Sequence, residues 1–207
     1  AIDAAAAVSA LAFFGDDLLV SGGDDGKLAA WEVTGQKLVG NYLEGGPIRS
    51  IAPDANAARG DRGVFAIGRA NGTVDVGTFA VENGRPNFTS TKRHQLSEGP
   101  IQALAWDPSG LCVAGGADGQ LFVLALDGSS RAIAPGGDGG IRAVAVSPNG
   151  QIFSSGWDWD GRVWSIASGE QVGSFRDQSS VHVLATSPDG RAFVAGGDWN
   201  ELTIWDA

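Results

Sequence analysis

Cysteine is almost absent from this chain of 207 residues. The single copy, Cys112, excludes an intramolecular disulfide, and its neighbours Leu111 and Val113 indicate a core residue rather than a nucleophile. The two histidines, His94 and His182, have no serine or cysteine motif near them, and no zinc-ligand cluster or phosphate loop is present. We therefore expect a protein that is not an enzyme and that has no cofactor or metal.

Basic residues are also few. The chain has 14 Lys and Arg against 24 Asp and Glu, a formal net charge of -10, which disfavours binding to nucleic acid or to a membrane surface. No apolar run approaches the ~18 residues of a membrane span, and the stretch from Ala1 to Ala7 lacks the basic start of a secretory signal. We expect a soluble protein, intracellular and cytoplasmic by default. Methionine is missing even at position 1, which indicates a processed, trimmed or partly observed chain.

Glycine and apolar residues are abundant, whereas sustained helical periodicity is absent. The chain contains 32 glycines and 43% apolar residues. This composition favours many short strands joined by sharp turns. The clearest example runs from Ile141 to Ile166, where period-2 alternation over the first six residues predicts a strand buried on both sides.

Two turn signals follow within the same stretch. Proline, asparagine and glycine in Ser147 to Gly150 predict a hairpin. A second strand returns over Ile152 to Ser155. Asp160-Gly161 then predicts a tight type I′ turn, in which both central residues have positive φ, before a third strand over Arg162 to Ile166. The unit is a three-stranded antiparallel meander.

The rest of the chain repeats this unit. The residues that open the first strand of each copy lie 40, 53, 40 and 40 residues apart, which indicates a repeat protein with a period near 40. These residues are Val8, Ile48, Ile101, Ile141 and Val181. The first turn recurs at Asp107 to Gly110 and Ser187 to Gly190. The second turn recurs at Asp25-Gly26, Asn71-Gly72 and Asp118-Gly119 and, with a weaker signal, at Trp199-Asn200. The third strand ends in Trp31-Glu32 and Trp205-Asp206.

This pattern resembles the WD-repeat family of β-propellers, in which each repeat supplies one four-stranded blade. The resemblance covers nearly the whole chain. It implies an all-β fold, a WD-repeat β-propeller with five recognisable repeats, and a single domain over 1–207. The repeats lie at about 8–47, 48–100, 101–140, 141–180 and 181–207.

The chain departs from the family pattern in one respect. The usual Gly-His dipeptide before the first strand is missing from every copy. The buried His-Ser-Asp-Trp hydrogen-bond set that the family often uses therefore cannot form in full. We expect the blades to depend more on apolar packing between neighbours.

The second repeat carries two insertions. A polar loop over Pro53 to Gly63 and a long outer-strand region over Val81 to Gln95 account for its greater length. Insertions in repeat arrays lie in surface loops.

Five copies of the inner three strands are accompanied by only four outer strands. The outer strands are predicted near Gln36 to Leu43, Val81 to Gln95, Ser129 to Ala134 and Glu170 to Phe175. The last blade is thus one strand short. Either the chain belongs to a propeller of six or seven blades, or a five-bladed ring closes imperfectly. An open sheet edge at Leu202 to Trp205 is expected to invite pairing with another chain.

The topology collects one set of residues on the face where the inner strands begin, here called the starting face. The resemblance implies that this face, around the central channel, is the binding surface, and Arg and Trp are enriched at protein interfaces. The candidate partner-binding residues are Arg49, Gln102, Arg142, His182, Trp157, Trp159 and Trp199. For the three tryptophans, packing on the next blade is the structural alternative.

Two functions remain open at this point. The first is a scaffold that holds another protein within a multiprotein complex. The second is a propeller that binds a small ligand, or performs chemistry, in an axial channel whose entrance is lined by Arg49, Arg142 and His182.

Overall fold

The computed structural model describes residues 6–42, 45–54, 62–82, 85–135, 139–176, 180–198 and 202–206. The described residues form only strands, turns and irregular segments. No helix in this part of the chain is long and apolar enough to cross a membrane. The strands, in chain order, are β1 Val8–Phe14, β2 Leu18–Gly23, β3 Leu28–Glu32, β4 Lys37–Tyr42, β5 Ile48–Pro53, β6 Arg62–Arg69, β7 Thr73–Glu82, β8 Arg85–Gln95, β9 Ile101–Trp106, β10 Leu111–Gly116, β11 Gln120–Ala125, β12 Ser130–Pro135, β13 Ile141–Val146, β14 Gln151–Gly156, β15 Asp160–Ser165, β16 Gln171–Arg176, β17 Val181–Thr186, β18 Ala192–Gly197 and β19 Leu202–Asp206.

These strands form five antiparallel sheets, each a meander of consecutive strands. Sheet 1 contains β1 to β4, sheet 2 β5 to β8, sheet 3 β9 to β12, sheet 4 β13 to β16, and sheet 5 β17 to β19. The five predicted inner-strand starts and the four outer strands are confirmed, the latter within a few residues. The shortened last blade is also confirmed, because β19 has no fourth strand beside it in the described residues.

The inner strands β1, β5, β9, β13 and β17 lie side by side in chain order and begin at the same face. At that face the Ser9 hydroxyl donates to the Ile48 carbonyl at 2.5 Å. At the opposite face, the Trp106 indole donates to the carbonyl of Ala52 at 2.9 Å. The topology therefore brings the described members of the predicted set to one side of the array.

The core is divided among the four interfaces between successive sheets. Phe14 packs edge to face against Phe65, Phe79 and Phe88 between sheets 1 and 2. Aliphatic residues, Phe122 and the buried Cys112 fill the space between sheets 2 and 3. Burial raises the pKa of the Cys112 thiol. A third cluster joins sheets 3 and 4, and an aromatic cluster joins sheets 4 and 5. Packing between neighbours, as predicted, holds the array together.

The two ends of the array are uncovered. Val144 in β13 packs against sheet 3 and is 8% exposed. Its counterpart in β1, Leu11, is 60% exposed. On the last sheet, Val183 and Ile204 are exposed in the same way. The described residues form an open arc of five sheets, and each end sheet packs on one side only.

The second turn differs from the predicted type I′ turn in sheets 1 to 4, and the corresponding turn of sheet 5, Trp199-Asn200, lies outside the described residues. In sheets 1 to 3 only the glycine has positive φ, at Gly26, Gly72 and Gly119. The prediction that Asp160-Gly161 forms this turn in sheet 4 is wrong. Gly161 lies within β15, opposite Phe175, and a Cβ there would overlap the Phe175 ring. The absence of a side chain at Gly161 therefore leaves room for the Phe175 ring. The turn of sheet 4 lies two residues earlier, at Asp158-Trp159.

The second predicted insertion forms a long hairpin. Strands β7 and β8 have 10 and 11 residues, against five to seven in sheets 1, 3, 4 and 5. Most of the predicted loop from Pro53 to Gly63 lies outside the described residues. The extra length of sheet 2 thus extends its outer two strands.

Part of the family's hydrogen-bond set is present. The Trp31 indole donates to the Ser21 hydroxyl, and the Trp164 indole to the Ser154 hydroxyl, both at 2.8 Å. In sheet 5 the position of the serine is taken by Ala195, and Trp205 stacks on Phe193 instead. The set is incomplete, as the missing Gly-His dipeptides predicted.

We predict that Ser154→Ala lowers the free energy of unfolding by about 1–2 kcal/mol, because it leaves a buried indole N–H without its acceptor. Ser155 is a matched control on the same strand. Its hydroxyl is buried and makes no hydrogen bond with the described residues. Urea unfolding should therefore show Ser155→Ala as neutral or stabilising. Equal losses for the two variants would contradict this account.

Sheet 2 contains a buried ion cluster instead of a tryptophan–serine pair. The Asp75 carboxylate, 0% exposed, accepts from Arg69 Nε at 2.7 Å and from Arg93 Nε at 2.5 Å. Arg69 also donates to the Gly46 carbonyl at 2.6 Å. Burial pushes the Asp75 pKa upward, but hydrogen bonds from Arg93 and Arg69 outweigh it and hold the pKa below its usual value. The cluster fastens the second turn of sheet 2 to its outer strand.

Candidate functional site

Six of the seven predicted site residues lie in the described part of the chain, and Trp199 lies outside it. Arg49, Gln102, Arg142 and His182 each occupy the second position of an inner strand and are half-buried. Trp157 and Trp159 lie in the turn between β14 and β15. These two indoles are 55% and 46% exposed.

Arg142 connects residues of sheets 4 and 5. Its guanidinium carbon lies 4.0 Å from the centre of the Trp157 ring, which is a cation–π contact. Its Nη1 lies 3.1 Å from Nε2 of His182 on the next inner strand. His182 Nε2 in turn lies 2.8 Å from a carboxylate oxygen of Asp198. The structure therefore brings three of the predicted residues together and adds Asp198.

The His182 ring nitrogen cannot hydrogen-bond to both neighbours at once. Nε2 either carries a proton or offers a lone pair. With the proton it donates to Asp198, and without it it accepts from Arg142. Whichever tautomer is present, one of the two neighbouring charged groups lacks a hydrogen bond to His182.

The other predicted cation of the face is already paired. Arg49 Nη1 lies 2.5 Å from Asp24, in the turn of sheet 1. The pair of Arg49 and Asp24 lies between sheets 1 and 2, whereas the group around Arg142 lies between sheets 4 and 5. Gln102 occupies the equivalent position in sheet 3, between these two groups.

Trp159 has an unusual backbone conformation. Its φ is +62°, in the left-handed region, at the turn position that Gly26, Gly72 and Gly119 occupy in sheets 1 to 3. A bulky side chain in this region is strained by about 1–2 kcal/mol. This backbone conformation places a large, half-exposed indole on the starting face.

We predict that Trp159→Gly raises the free energy of unfolding by roughly 0.5–1 kcal/mol, because glycine adopts positive φ without steric strain. Glycine's greater entropy in the unfolded chain offsets part of the gain. Chemical denaturation monitored by circular dichroism measures the change. Gly119→Ala, at the equivalent position, serves as the converse control and should be destabilising. A clear loss of stability in Trp159→Gly would instead show that the indole packs as a structural residue.

Sequence reasoning missed Asp198 and the ion pair behind the turn. Arg162 Nη2 lies 2.6 Å from Asp158, four residues earlier. The sequence favours Asp158 as a turn former, since aspartate commonly hydrogen-bonds its own backbone. A signal was present in the sequence, because Asp158 lies in the second turn and Arg162 follows four residues later in β15.

Comparison with known families identifies the fold. The WD domain, G-beta repeat, matches residues 87–123, 128–165 and 169–206, just over half of the chain. The chain belongs to the WD-repeat family. Each matched WD repeat begins in or just before an outer strand and ends in the third strand of the next sheet, so the repeats are offset by one strand from the sheets. A search of curated proteins finds no match to the WD-repeat chain.

WD-repeat domains generally mediate protein–protein interaction and are typically non-catalytic. Within the described residues, no group of three or more histidine, cysteine or acidic side chains could hold a metal ion. The groups gathered on the starting face are hydrogen-bond donors, exposed indoles and paired carboxylates. Such groups suit recognition of another chain.

Proposed function

We propose that this chain is a non-catalytic scaffold or adaptor subunit that holds another protein on its starting face. The contact of Arg142 with Trp157 and His182 carries the proposal. It is a preorganised group of the residue types that dominate interface energies, and it bridges two sheets. Arg49, Gln102, Trp159 and Trp199 belong to the same proposed surface.

The geometry supports an interface rather than a packed structural role for Trp157. More than half of its surface is exposed, and the Arg142 guanidinium covers one ring face. A side chain stacked in this way loses little conformational freedom when a partner binds. The exposed remainder of the indole is therefore available for apolar contact with a partner.

The test is capture of partner proteins from an extract of the source cells by the immobilised chain. Arg142→Gln and Trp157→Ala should each reduce capture by at least tenfold, the size typical of an interface hot spot. Arg191→Gln provides the matched control, because Arg191 lies in the turn after β17 on the opposite face and is exposed. Thermal melts should show that all three variants fold. Retained capture by both starting-face variants would overturn the assignment.

We also propose that the open edge of sheet 5 pairs with a strand of another chain. In sheets 1 to 4 a fourth strand lies at this position, whereas β19 has none in the described residues. Hydrogen exchange measured on residues 202–206 should slow when the complex forms. Unchanged exchange in the complex would contradict strand pairing at this edge.

A further inference from the structure

The described carboxylates around Arg142 each have a basic side chain beside them. Asp158 pairs with Arg162 at 2.6 Å, and Asp160 lies 3.7 Å from Arg176. Asp198 contacts His182 at 2.8 Å. Arg142, by contrast, forms no ion pair with any carboxylate of the described residues. Instead, its guanidinium contacts the face of the Trp157 indole and the imidazole of His182.

Arg142 is also held in one orientation. The stacking on Trp157 fixes the plane of the guanidinium, and the contact with His182 uses only Nη1. A planar guanidinium offers five N–H donors in a fork that matches an anionic oxygen pair. Most of these donors remain for a ligand in the part of the chain that the structure describes.

We propose that this site binds an anionic side chain of the partner, an aspartate, a glutamate or a phosphorylated residue. This inference rests on the proposed function, since it names the chemistry that the same face recognises. Binding resolves the competition at His182: the anion accepts the hydrogen bonds of Arg142, and His182 Nε2–H donates a hydrogen bond to Asp198. Asp198 thereby acts as a positioning residue.

A cationic side chain fits the same site poorly. It would approach a guanidinium that already occupies one face of Trp157, and the two like charges would repel. The net charge of -10 opposes an anionic partner only at long range. Salt screens that field beyond about 8 Å at physiological ionic strength, so the local guanidinium decides the preference.

The experiment selects peptides from a random library displayed on phage, using the immobilised full chain. Arg142→Gln and Trp157→Ala serve for counter-selection, so that only peptides dependent on the starting face are kept. We expect these peptides to be enriched in aspartate and glutamate. Peptides that depend on the face but lack acidic residues would overturn the anion inference and leave the proposed function standing. If no peptide depends on the face, both proposals fail.

A double-mutant cycle then measures the contact. With a synthetic selected peptide, changing its acidic residue to the amide should weaken binding roughly tenfold to a hundredfold for the unmodified chain. For Arg142→Gln the same change should have an effect below about threefold. Arg142→Lys keeps the charge without the fork, and binding should be intermediate. Equal peptide effects on the unmodified chain and on Arg142→Gln would overturn the inference.

The two sources of negative charge are separated by a third peptide, in which phosphoserine replaces the acidic residue. Tighter binding than the carboxylate peptide identifies a phosphorylated partner, and weaker binding identifies an acidic one. Either order supports an anion site. In both cases, replacing the anionic residue of the peptide by a neutral residue should weaken binding.

Discussion

Asp75→Asn is expected to lower the free energy of unfolding by about 3–5 kcal/mol, because it leaves the Arg69 charge buried without its carboxylate. Arg69 is 1% exposed, so water cannot replace the lost partner. The folded chain holds the Asp75 pKa below its usual value, so this carboxylate stabilises the fold above the pKa of the unfolded chain. The contribution disappears as the pH falls through the lower pKa of the folded chain. Urea titrations at pH 7 and below pH 4 (roughly the unfolded carboxyl pKa) measure both effects.

Two further variants test whether the loss of stability in Asp75→Asn comes from leaving a charge buried without its partner. Arg93 is half-exposed, so Arg93→Gln should lower stability by only about 1 kcal/mol. The double variant Arg69→Met with Asp75→Leu removes both buried charges and should be more stable than Asp75→Asn. A loss below about 1 kcal/mol for Asp75→Asn, or a double variant that is the least stable of the set, would contradict the prediction.

Phe153→Ala is expected to lower the free energy of unfolding by about 3–5 kcal/mol, the range for truncating a buried phenylalanine. Phe153 stacks on Phe193 with ring centres 4.2 Å apart, at the interface between sheets 4 and 5. Among the described residues sheet 5 packs on one side only, so no second interface compensates for the lost contact. We expect β17 to β19 to open locally, and the contact between Arg142 and His182 to be lost with them.

Hydrogen exchange followed by mass spectrometry shows which sheets open. In Phe153→Ala the amides of β17 to β19 should exchange much faster than those of β9 to β11. Phe153→Leu keeps most of the apolar volume and should lose less than about 1.5 kcal/mol. Uniform acceleration throughout the chain, or unchanged exchange in sheet 5, would show that this interface does not hold the last sheet.

The repeat period made most of the fold predictable. Strand starts such as Ile141 and Val181 were found because each unit has the same alternation, the same turn residues and nearly the same length. The missing outer strand of the last sheet followed from counting strands. These features are local in sequence, and a propeller-like array combines them in chain order.

Features that depend on contacts between strands were not predictable in this way. Asp160-Gly161 has the sequence of a tight turn, yet Phe175 from the next strand lies across Gly161, and Trp159 takes the left-handed position. The buried pair of Arg69 and Asp75 was missed because periodicity does not show which side chains of β6 and β7 meet.

The candidate site shows the same division. The topology predicted that Arg142 and His182 would lie on one face, and the structure places them 3.1 Å apart. Asp198 was not included, since the turn that carries it lacks the Asp-Gly signal of the other units. Side-chain geometry, rather than spacing, reveals that one ring nitrogen lies between a guanidinium and a carboxylate.

Site-specific photo-crosslinking tests the central claim most directly. A photoreactive amino acid is placed at Gln102, at the second position of β9 on the starting face, and in a second variant at Ser109, in the turn at the opposite face. After irradiation in an extract of the source cells, the variant at Gln102 should form an adduct with a partner protein, and Arg142→Gln in the same chain should abolish it. An adduct from Ser109 alone, or one from Gln102 that survives Arg142→Gln, would contradict the starting face as the binding surface.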